Sequence, residues 1–322
     1  MKNLKMKYTG IAAVCLLLLA LLPASCIKDD YAAKEKATVT MTFTTRAISG
    51  NSATTADVLE LNERMHTLRV IVARKSGEIL YNLKYEIGEE ETSKTITFSE
   101  LTVNADGEAF DFYAIANEEG VGYSGNWDYV AITDLKDMNL QGGFLTDAND
   151  ASKNIKIPQT AYKQITVTPQ ADGGIRENMK LDFAVAKVRL TINNTSSGVQ
   201  NVTGISLSGV NMTSTPLFVG ESLSTENQGM LSLGDMTIPA NESATVYAYF
   251  YENTGGNYTL AANWNAESKT LSFGRGTKYD ISSISRGTEL DINITLNATT
   301  TPTFNIEVVP WEEVNVDVPP FQ

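Results

Sequence analysis

The amino-acid sequence predicts an all-β protein built from β-sandwiches. Short segments rich in β-branched and aromatic residues recur along the 322-residue chain, and Gly, Asn, Asp or Pro bound each of them. No long apolar segment with helical periodicity separates them. Hydrophobic residues make up 42% of the chain and charged residues 20%, which is typical of a globular protein with ample core material. The length suits about two domains.

The predicted strands follow one another through both halves of the chain. They lie at 37–45, 67–73, 95–101, 110–117, 164–169, 184–192, 202–210, 244–253, 258–264, 269–273 and 289–297. One short helix is predicted near 131–138, within an irregular stretch from 117 to 152. Pro, Gly and charged residues cluster at 169–178, which predicts a loop at the domain boundary. A weak internal similarity between 110–120 and 246–256 suggests two related halves.

The net charge of −13 argues against a nucleic-acid partner, because nucleic-acid binding requires clustered Lys and Arg. The first residues form the one basic cluster, with Lys2, Lys5 and Lys7. Without residues 1–25 the chain has 22 basic and 38 acidic residues, a net charge of −16. The surface of the mature chain is therefore predicted to be strongly acidic.

The N-terminus is predicted to be a targeting segment. Its apolar run, Ile11–Leu22, is too short to span a bilayer, which takes about 20 residues. The following LPASC ends at Cys26 and resembles a bacterial lipobox, although Pro23 stands where lipoboxes usually have Leu. The next residues, 27–30 (IKDD), resemble the surface-export signal of Bacteroidetes lipoproteins. An ordinary secretory signal with a chance cysteine is the alternative.

Lipidation of Cys26 would attach the precursor to the outer membrane through its acyl chains. The chain has one other cysteine, Cys15, which lies in the segment removed with the signal. No cysteine would then remain for a disulfide, a zinc site or a thiol nucleophile.

The first predicted strand ends at a single arginine. Val39, Met41 and Phe43 alternate with threonines, as in a strand with one buried face. The alternation stops at Arg46, and a run rich in Ser, Thr, Gly and Ala follows, which suits an accessible loop. A trypsin-like protease would cut between Arg46 and Ala47.

Several segments together resemble the fimbrillins of Bacteroidales, which build type V pili. These segments are FYAIAN (112–117), LDFAVAKVRLTI (181–192), FYEN (250–253), RGTELDINITL (286–296) and IEVVPWEEVNV (306–316). Their order, with the lipobox before them and the Trp-Glu tail after them, carries the resemblance.

The resemblance implies two tandem transthyretin-like β-sandwich domains and a homopolymer of fimbrial subunits at the cell surface. In that family an Arg-specific protease removes the first strand, and a donor strand from the next subunit fills its groove. The chain would divide into a signal peptide (1–25), a propeptide with the placeholder strand (26–46), two sandwiches (47–175 and 176–300) and a donor-strand tail (301–322).

The C-terminal tail has the spacing that such a donor needs. Val314, Val316 and Val318 alternate with polar residues, in the same period as the first strand. The run Phe304–Val308 also alternates, so the tail would supply one or two strands. The alternative is a C-terminal strand that pairs within its own domain, just as the first strand could simply remain in place.

The sequence offers poor material for catalysis, a metal or a cofactor. His66 is the only histidine and lies next to a predicted strand. The glycines at 274–276 suit a hairpin turn rather than a phosphate loop. Acidic residues at 88–91 and 147–150 do not match the EF-hand pattern. We expect no enzymatic activity, no metal and no cofactor.

Three roles remain open. The combination of Arg46 with an alternating tail favours a fimbrial stalk subunit, whereas an anchor would keep its lipid and a tip would lack the donor. A monomeric lipoprotein that binds a glycan or host ligand is the third, with Trp127, Tyr123 and Tyr129 as a stacking site and Trp264 as a weaker one. Arg64 and Arg69 compete with Arg46 as protease sites.

Overall fold

The architecture is almost entirely β, as the sequence predicts. The computed structural model describes residues 34–45, 63–88, 91–141, 156–169, 174–218, 228–265, 267–297 and 302–310. They form two successive pairs of packed sheets, with one short helix and two short 3₁₀ turns. None of the described helices is long and apolar enough to span a membrane.

The first half contributes one three-stranded and one five-stranded sheet. Its strands are β1 (Glu35–Thr44), β2 (Thr67–Arg74), β3 (Ile79–Glu86), β4 (Ser93–Val103), β5 (Glu108–Ala116), β6 (Asn139–Leu140), β7 (Gln159–Val167), β8 (Ile175–Lys180) and β9 (Asp182–Phe183). The sheet orders are β4-β1-β8 and β3-β2-β5-β7-β9. Between β5 and β6 lie 3₁₀ turns at Glu118–Val121 and Trp127–Tyr129 and the helix α1 (Ile132–Asp137).

The second half contributes two four-stranded sheets. Its strands are β10 (Ala186–Asn194), β11 (Gln200–Asn211), β12 (Thr215–Pro216), β13 (Gln228–Ile238), β14 (Ser243–Phe250), β15 (Asn257–Trp264), β16 (Glu267–Gly274), β17 (Thr288–Leu296) and β18 (Thr303–Pro310). The sheet orders are β14-β10-β17-β18 and β13-β11-β15-β16. The short strands β6 and β12 pair with each other and so join the two halves.

The two sandwiches share one topology. β1 pairs antiparallel with β4 and parallel with β8, and β10 pairs in the same way with β14 and β17. In the facing sheets, β3-β2-β5-β7 corresponds to β13-β11-β15-β16. The internal similarity between 110–120 and 246–256 compares β5 with β14, which are not equivalent, so that similarity does not reflect this repeat.

The described residues form three clusters of buried side chains. One fills the first sandwich and includes the inner face of β1, and another fills the second sandwich. The third combines Ile71 and Tyr113 of the first half with Val185, Tyr249 and Tyr251 of the second. Apolar burial therefore continues across the connection between the halves, where it opposes independent motion of the two sandwiches.

The predicted strands between 67 and 117, at 164–169 and from 184 onward are all present, and the helix near 131–138 is confirmed as α1. β3 and β13 are not among the predicted strands. A loop was predicted at 169–178, but β8 begins at Ile175 and pairs with β1. The loop prediction is wrong for these last residues because the partner of β8 is far away in sequence. The exact domain bounds stay a prediction.

Candidate functional site at the first strand

β1 is the central strand of its sheet. It pairs with β4 from Glu35 to Thr44 and with β8 from Val39 to Thr44. Removing a central strand leaves two unpaired strand edges that face each other across a gap. Such a gap would accept one extended chain, whose backbone could pair on both sides.

The inner face of β1 is fully buried. Val39, Met41 and Phe43 each have 0% of their surface exposed and belong to the core of the first sandwich. Burying each side chain is worth about 1.5–3 kcal/mol. The predicted alternation is therefore present in the structure, and the loss of β1 would uncover three adjoining apolar positions.

The outer face of β1 is lined with hydroxyl groups. The side chains of Thr40 and Thr97 share a hydrogen bond of 3.1 Å, and those of Thr42 and Thr95 share one of 3.0 Å. On the opposite wall, β8 places Arg176, Asn178 and Lys180 on this face, and all three are exposed. The site thus has an apolar floor and a polar, solvent-facing rim.

Thr45 and Glu63, the described residues on either side of 46–62, both form hydrogen bonds with the buried side chain of Gln159. The Thr45 hydroxyl donates to Oε1 of Gln159, and Nε2 of Gln159 donates to the backbone oxygen of Glu63 over 2.8 Å. The Thr45 amide also donates to the Thr92 carbonyl, so the end of β1 is tied to the sheet. Gln159 therefore holds the two residues that flank the segment predicted to be cut close to each other.

Glu63 extends this connection to the second sandwich. Its carboxylate is buried, lies 2.8 Å from the Nζ of Lys187 and accepts a hydrogen bond of 2.8 Å from the hydroxyl of Tyr249. Lys187 also lies 3.6 Å from Glu289. Burial raises the pKa of the Glu289 carboxyl, while Lys187 and Arg189 act to lower it. This buried network of charges lies between the two halves.

Several predicted functional residues lie outside the described part of the chain. They are Cys26, Arg46, Ala47, Val314, Val316 and Val318. The last described residue before Arg46 is Thr45, and the last before the valines is Pro310. Lipidation, cleavage and strand donation at these residues therefore remain predictions.

The two competing arginines are engaged in the fold. Arg69 is buried and forms ion pairs with Glu118 and Asp128. Arg64 is partly buried, and its carbonyl accepts a hydrogen bond of 2.8 Å from Nδ2 of Asn117. A protease needs several residues in an extended, accessible conformation, so neither position suits cleavage.

The first alternating run of the tail pairs within its own domain. Phe304, Ile306 and Val308 lie on β18, which extends the sheet of the second sandwich beside β17. Ile306 is buried there, and the other two pack against the same core. The structure therefore uses this run as an edge strand in its own chain and leaves the valines beyond it as the candidate donor.

The candidate stacking tryptophans differ in their surroundings. Trp264 is 8% exposed and donates from Nε1 to Gln200, so it belongs to the core. Trp127 is half-buried and packs edge-on against Tyr123, with ring centroids 4.9 Å apart. Tyr129, on the same 3₁₀ turn, is 86% exposed.

The remaining chemical candidates do not form a site in the described ranges. Gly274 ends β16 and Gly276 follows in a turn, both with positive φ values, so a turn is present as predicted. It is not a hairpin turn, because the next strand, β17, lies in the facing sheet. No group of His, Cys, Asp and Glu suitable for a metal ion occurs among the described residues. The acidic stretch at 147–150 lies outside the described residues.

Neither β8 nor the buried network around Glu63 and Gln159 was predicted from the sequence. Both depend on contacts between residues far apart along the chain. The placement of Ile175 and Met179 on one face of an extended segment was the available signal for β8, but Glu177 interrupts the alternation between them.

Comparison with known proteins gives matches in structure alone. No family model and no curated protein sequence matches the chain. The tip fimbrial protein Mfa3 from Porphyromonas gingivalis, with a C-terminal truncation, is similar with a TM-score of 0.57 at 14% identity, covering 86% of this chain and 100% of that chain.

Two further solved structures are also similar over most of the chain. A putative cell adhesion protein from Parabacteroides distasonis has a TM-score of 0.54 at 16% identity, covering 86% of this chain and 98% of that one. A fimbrilin, FimA, from Porphyromonas gingivalis has a TM-score of 0.52 at 10% identity, covering 86% and 99%. The chain has the fold of these proteins, which are named as fimbrial and adhesion proteins rather than enzymes.

Proposed function

We propose that this chain is a structural subunit of a cell-surface fimbria, and that it polymerises when a strand from another copy replaces β1. The central, fully buried position of β1 carries the proposal. The names of the structures that share the fold, which include a fimbrilin and a tip fimbrial protein, support a fimbrial role.

The repeated topology supports the first sandwich, rather than the second, as the proposed acceptor. The equivalent strand of the second sandwich, β10, is continuous with the chain on both sides and lies beside β14 and β17. β1, in contrast, is the first described strand and is followed at once by the predicted cut site. A single backbone cut can therefore free β1, whereas freeing β10 would require two.

The proposed cut lies between Arg46 and Ala47. Among the described residues, Thr45 is held by hydrogen bonds just after β1 on one side of this bond, and Glu63 is held on the other. Cleavage there would break the covalent connection between the segment with Cys26 and β1 and the remainder of the chain. A lipid on Cys26 would thus hold the precursor at the outer membrane until the Arg-specific protease acts.

The proposed donor is the segment with Val314, Val316 and Val318. These side chains would enter the positions that Val39, Met41 and Phe43 occupy in the uncut chain, all of which are buried. Three apolar side chains with period two match this floor, and a donor strand would restore backbone pairing to β4 and β8.

Replacing Arg46 with Ala tests the cleavage and the assembly together. We expect wild-type cells to show surface ladders that resist mild SDS and chains that begin at Ala47. The Arg46→Ala variant should show neither. Arg275→Ala removes an exposed arginine in the second sandwich and serves as the matched control. Unchanged ladders in the Arg46→Ala variant would refute the mechanism.

A monomeric ligand-binding lipoprotein is the second candidate, and the exposed Tyr129 beside Trp127 favours it. The same N-terminal analysis separates the two functions. A stable surface monomer with a blocked Cys26 indicates the binding protein or a fimbrial anchor, whereas Ala47 at the N-terminus indicates a polymerising subunit.

A further inference from the structure

β8, which lies beside β1, carries positively charged side chains opposite uncharged residues of β1. In the parallel pairing, Arg176 of β8 lies opposite Thr40, and Lys180 lies opposite Thr44. Asn178 lies between them, opposite Thr42. We name Arg176 and Lys180 the cationic edge. In the uncut chain, this edge faces neutral hydroxyl side chains.

Arg176 differs from its charged neighbours in having no ion pair. Within the described ranges, no carboxylate lies within salt-bridge distance of its guanidinium, and its side chain is exposed. By contrast, the adjacent Glu177 lies 2.6 Å from the Nζ of Lys163. An arginine at a strand edge with no carboxylate is available to a carboxylate from another chain.

Two constraints determine how the tail would replace β1. Its apolar side chains must lie on the buried floor, and its prolines must not lie within a strand that is paired on both sides, because proline has no N–H. The tail reads Val314-Asn-Val-Asp-Val-Pro-Pro, with Pro319 immediately after the last valine.

One register meets these constraints best. With Val314 at the position of Val39, Pro319 takes the position of Thr44, the last residue of β1, so the prolines affect only the final pairing with β4 and β8 and not the interior of the strand. If the tail is shifted by two residues so that Val316 takes the position of Val39, Pro319 takes the position of Thr42, inside the central strand. The opposite shift moves Glu312 from the position of Ala37, which is 5% exposed and lies before the pairing with β8 begins, to that of Val39, which is 0% exposed and paired on both sides, and so buries its carboxylate more deeply.

In this register Asp317 takes the position of Thr42. On β8, Asn178 lies directly opposite this position. Arg176 and Lys180 lie two residues before and two residues after Asn178, on the same outer face. Long side chains reach such diagonal neighbours. On the other wall, the Thr95 hydroxyl, which bonds Thr42 over 3.0 Å in the uncut chain, remains as a donor.

We propose that the cationic edge recognises the Asp317 carboxylate of a second copy and thereby selects the register of the incoming strand. This inference rests on the proposed function, because it requires the tail of one copy to enter the groove of another. The placeholder strand makes no such ion pair, so Arg176 favours the incoming strand over β1.

Charge reversal on full-length chains tests the pairing. Purified Arg176→Glu and Asp317→Lys variants and the double variant are cut with an Arg-specific protease at low salt, and SDS-resistant polymer is followed over time. Each single reversal should slow assembly about three- to tenfold, since it replaces attraction by repulsion at exposed sites. The double variant should return to within about twofold of wild type.

Two controls accompany the comparison. Arg275→Glu makes the same charge change on an exposed arginine of the second sandwich and should assemble as wild type does. N-terminal sequencing and urea unfolding of each uncut and cut chain establish that cleavage and folding are unchanged. Raising the salt concentration should reduce the difference between wild type and Arg176→Glu.

The outcomes separate the two proposals. If Arg176→Glu or Asp317→Lys assembles at the wild-type rate, the proposed recognition by the cationic edge is wrong. The proposal of strand exchange is not affected by that result. Slow single variants without recovery in the double variant also overturn the pairing. If wild-type chains beginning at Ala47 form no polymer at all, the proposed function itself fails.

Discussion

The Nζ of Lys187 lies 2.8 Å from the Oε1 of Glu63, and both side chains are buried. Glu63 is the first described residue after the segment predicted to be cut, while Lys187 lies on β10 of the second sandwich. Through Gln159, the same glutamate is also connected to Thr45 at the end of β1. The ion pair therefore anchors the chain beyond the cut to the second half.

Replacing Lys187 with Met should destabilise the uncut chain by about 3–5 kcal/mol, because Glu63 would remain buried without its cation. Urea unfolding followed by tryptophan fluorescence measures the loss. Lys269→Met is the matched control, because its pair with Glu267 is exposed and is worth about 0–1 kcal/mol. Equal losses in the two variants would contradict the importance of the buried pair.

Gly174→Ala should loosen β1 from β8. Gly174 has a φ of +68°, and an added Cβ would lie 2.6 Å from the carbonyl oxygen of Thr38 on β1. Gly77→Ala is a matched control, because its φ is +92° but nothing lies within 4 Å of the added atom. Both variants lose about 1–2 kcal/mol to the backbone conformation, and we expect a further loss in Gly174→Ala alone. Hydrogen exchange of the β1 amides would reveal it, and equal exchange in both variants would count against it.

Phe43→Ala should cost about 3–5 kcal/mol of unfolding free energy, because it leaves a cavity where the side chain is fully buried. Thr42→Val, one residue away on the outer face, keeps the size of the side chain and loses the hydrogen bond to Thr95. We expect it to cost about 0.5–1.5 kcal/mol. Denaturant titration of the uncut chains compares them, and a loss in Thr42→Val as large as that in Phe43→Ala would disagree with the burial pattern.

Two neighbouring tyrosines should respond differently to removal of their hydroxyl groups. The Tyr113 hydroxyl is buried with no hydrogen-bond partner in the described part of the chain, so Tyr113→Phe should leave stability at pH 7 unchanged or slightly higher. Tyr162 donates to the Asp111 carboxylate over 2.9 Å, so Tyr162→Phe should lose about 0.5–1.5 kcal/mol. Urea unfolding at pH 7 distinguishes them, and a clear loss in Tyr113→Phe would indicate an additional partner.

Tyr113 also makes a prediction about alkaline pH. Burial, aided by Asp111, raises the pKa of the Tyr113 hydroxyl above its ordinary value of 10.0. The unfolded chain therefore releases this proton first, and stability should fall as the pH rises above 10. Tyr113→Phe should show a smaller fall than wild type between pH 7 and pH 11. Parallel curves for the two proteins would be inconsistent with the raised pKa.

Local patterns predicted much of the fold but not the partner of β1. Val39, Met41 and Phe43 alternate with threonines because one face of β1 is buried, and this pattern is visible in a few residues. β8 has only Ile175 and Met179 as apolar residues, and its parallel pairing with β1 joins distant parts of the chain. The charged residues of β8 therefore look the same in the sequence as those of a loop.

The buried connection from Thr45 to Lys187 left no signal in the sequence. Glu63 lies before a predicted strand, where a carboxylate is ordinarily exposed. Its burial results from the packing of the two halves, which brings Lys187 and Tyr249 to it. Local composition does not contain this information.

The parallel pairing of β1 with β8 has a consequence for the shape of any polymer. A strand that replaces β1 in the same hydrogen-bonding pattern can run in one direction only, so the donor end of one copy enters the first sandwich of the next with a fixed polarity. Each such contact joins two different surfaces, and repeated addition gives an open filament where the rotation between copies does not close. The two ends of such a filament are not equivalent, because one end presents a donor and the other an acceptor.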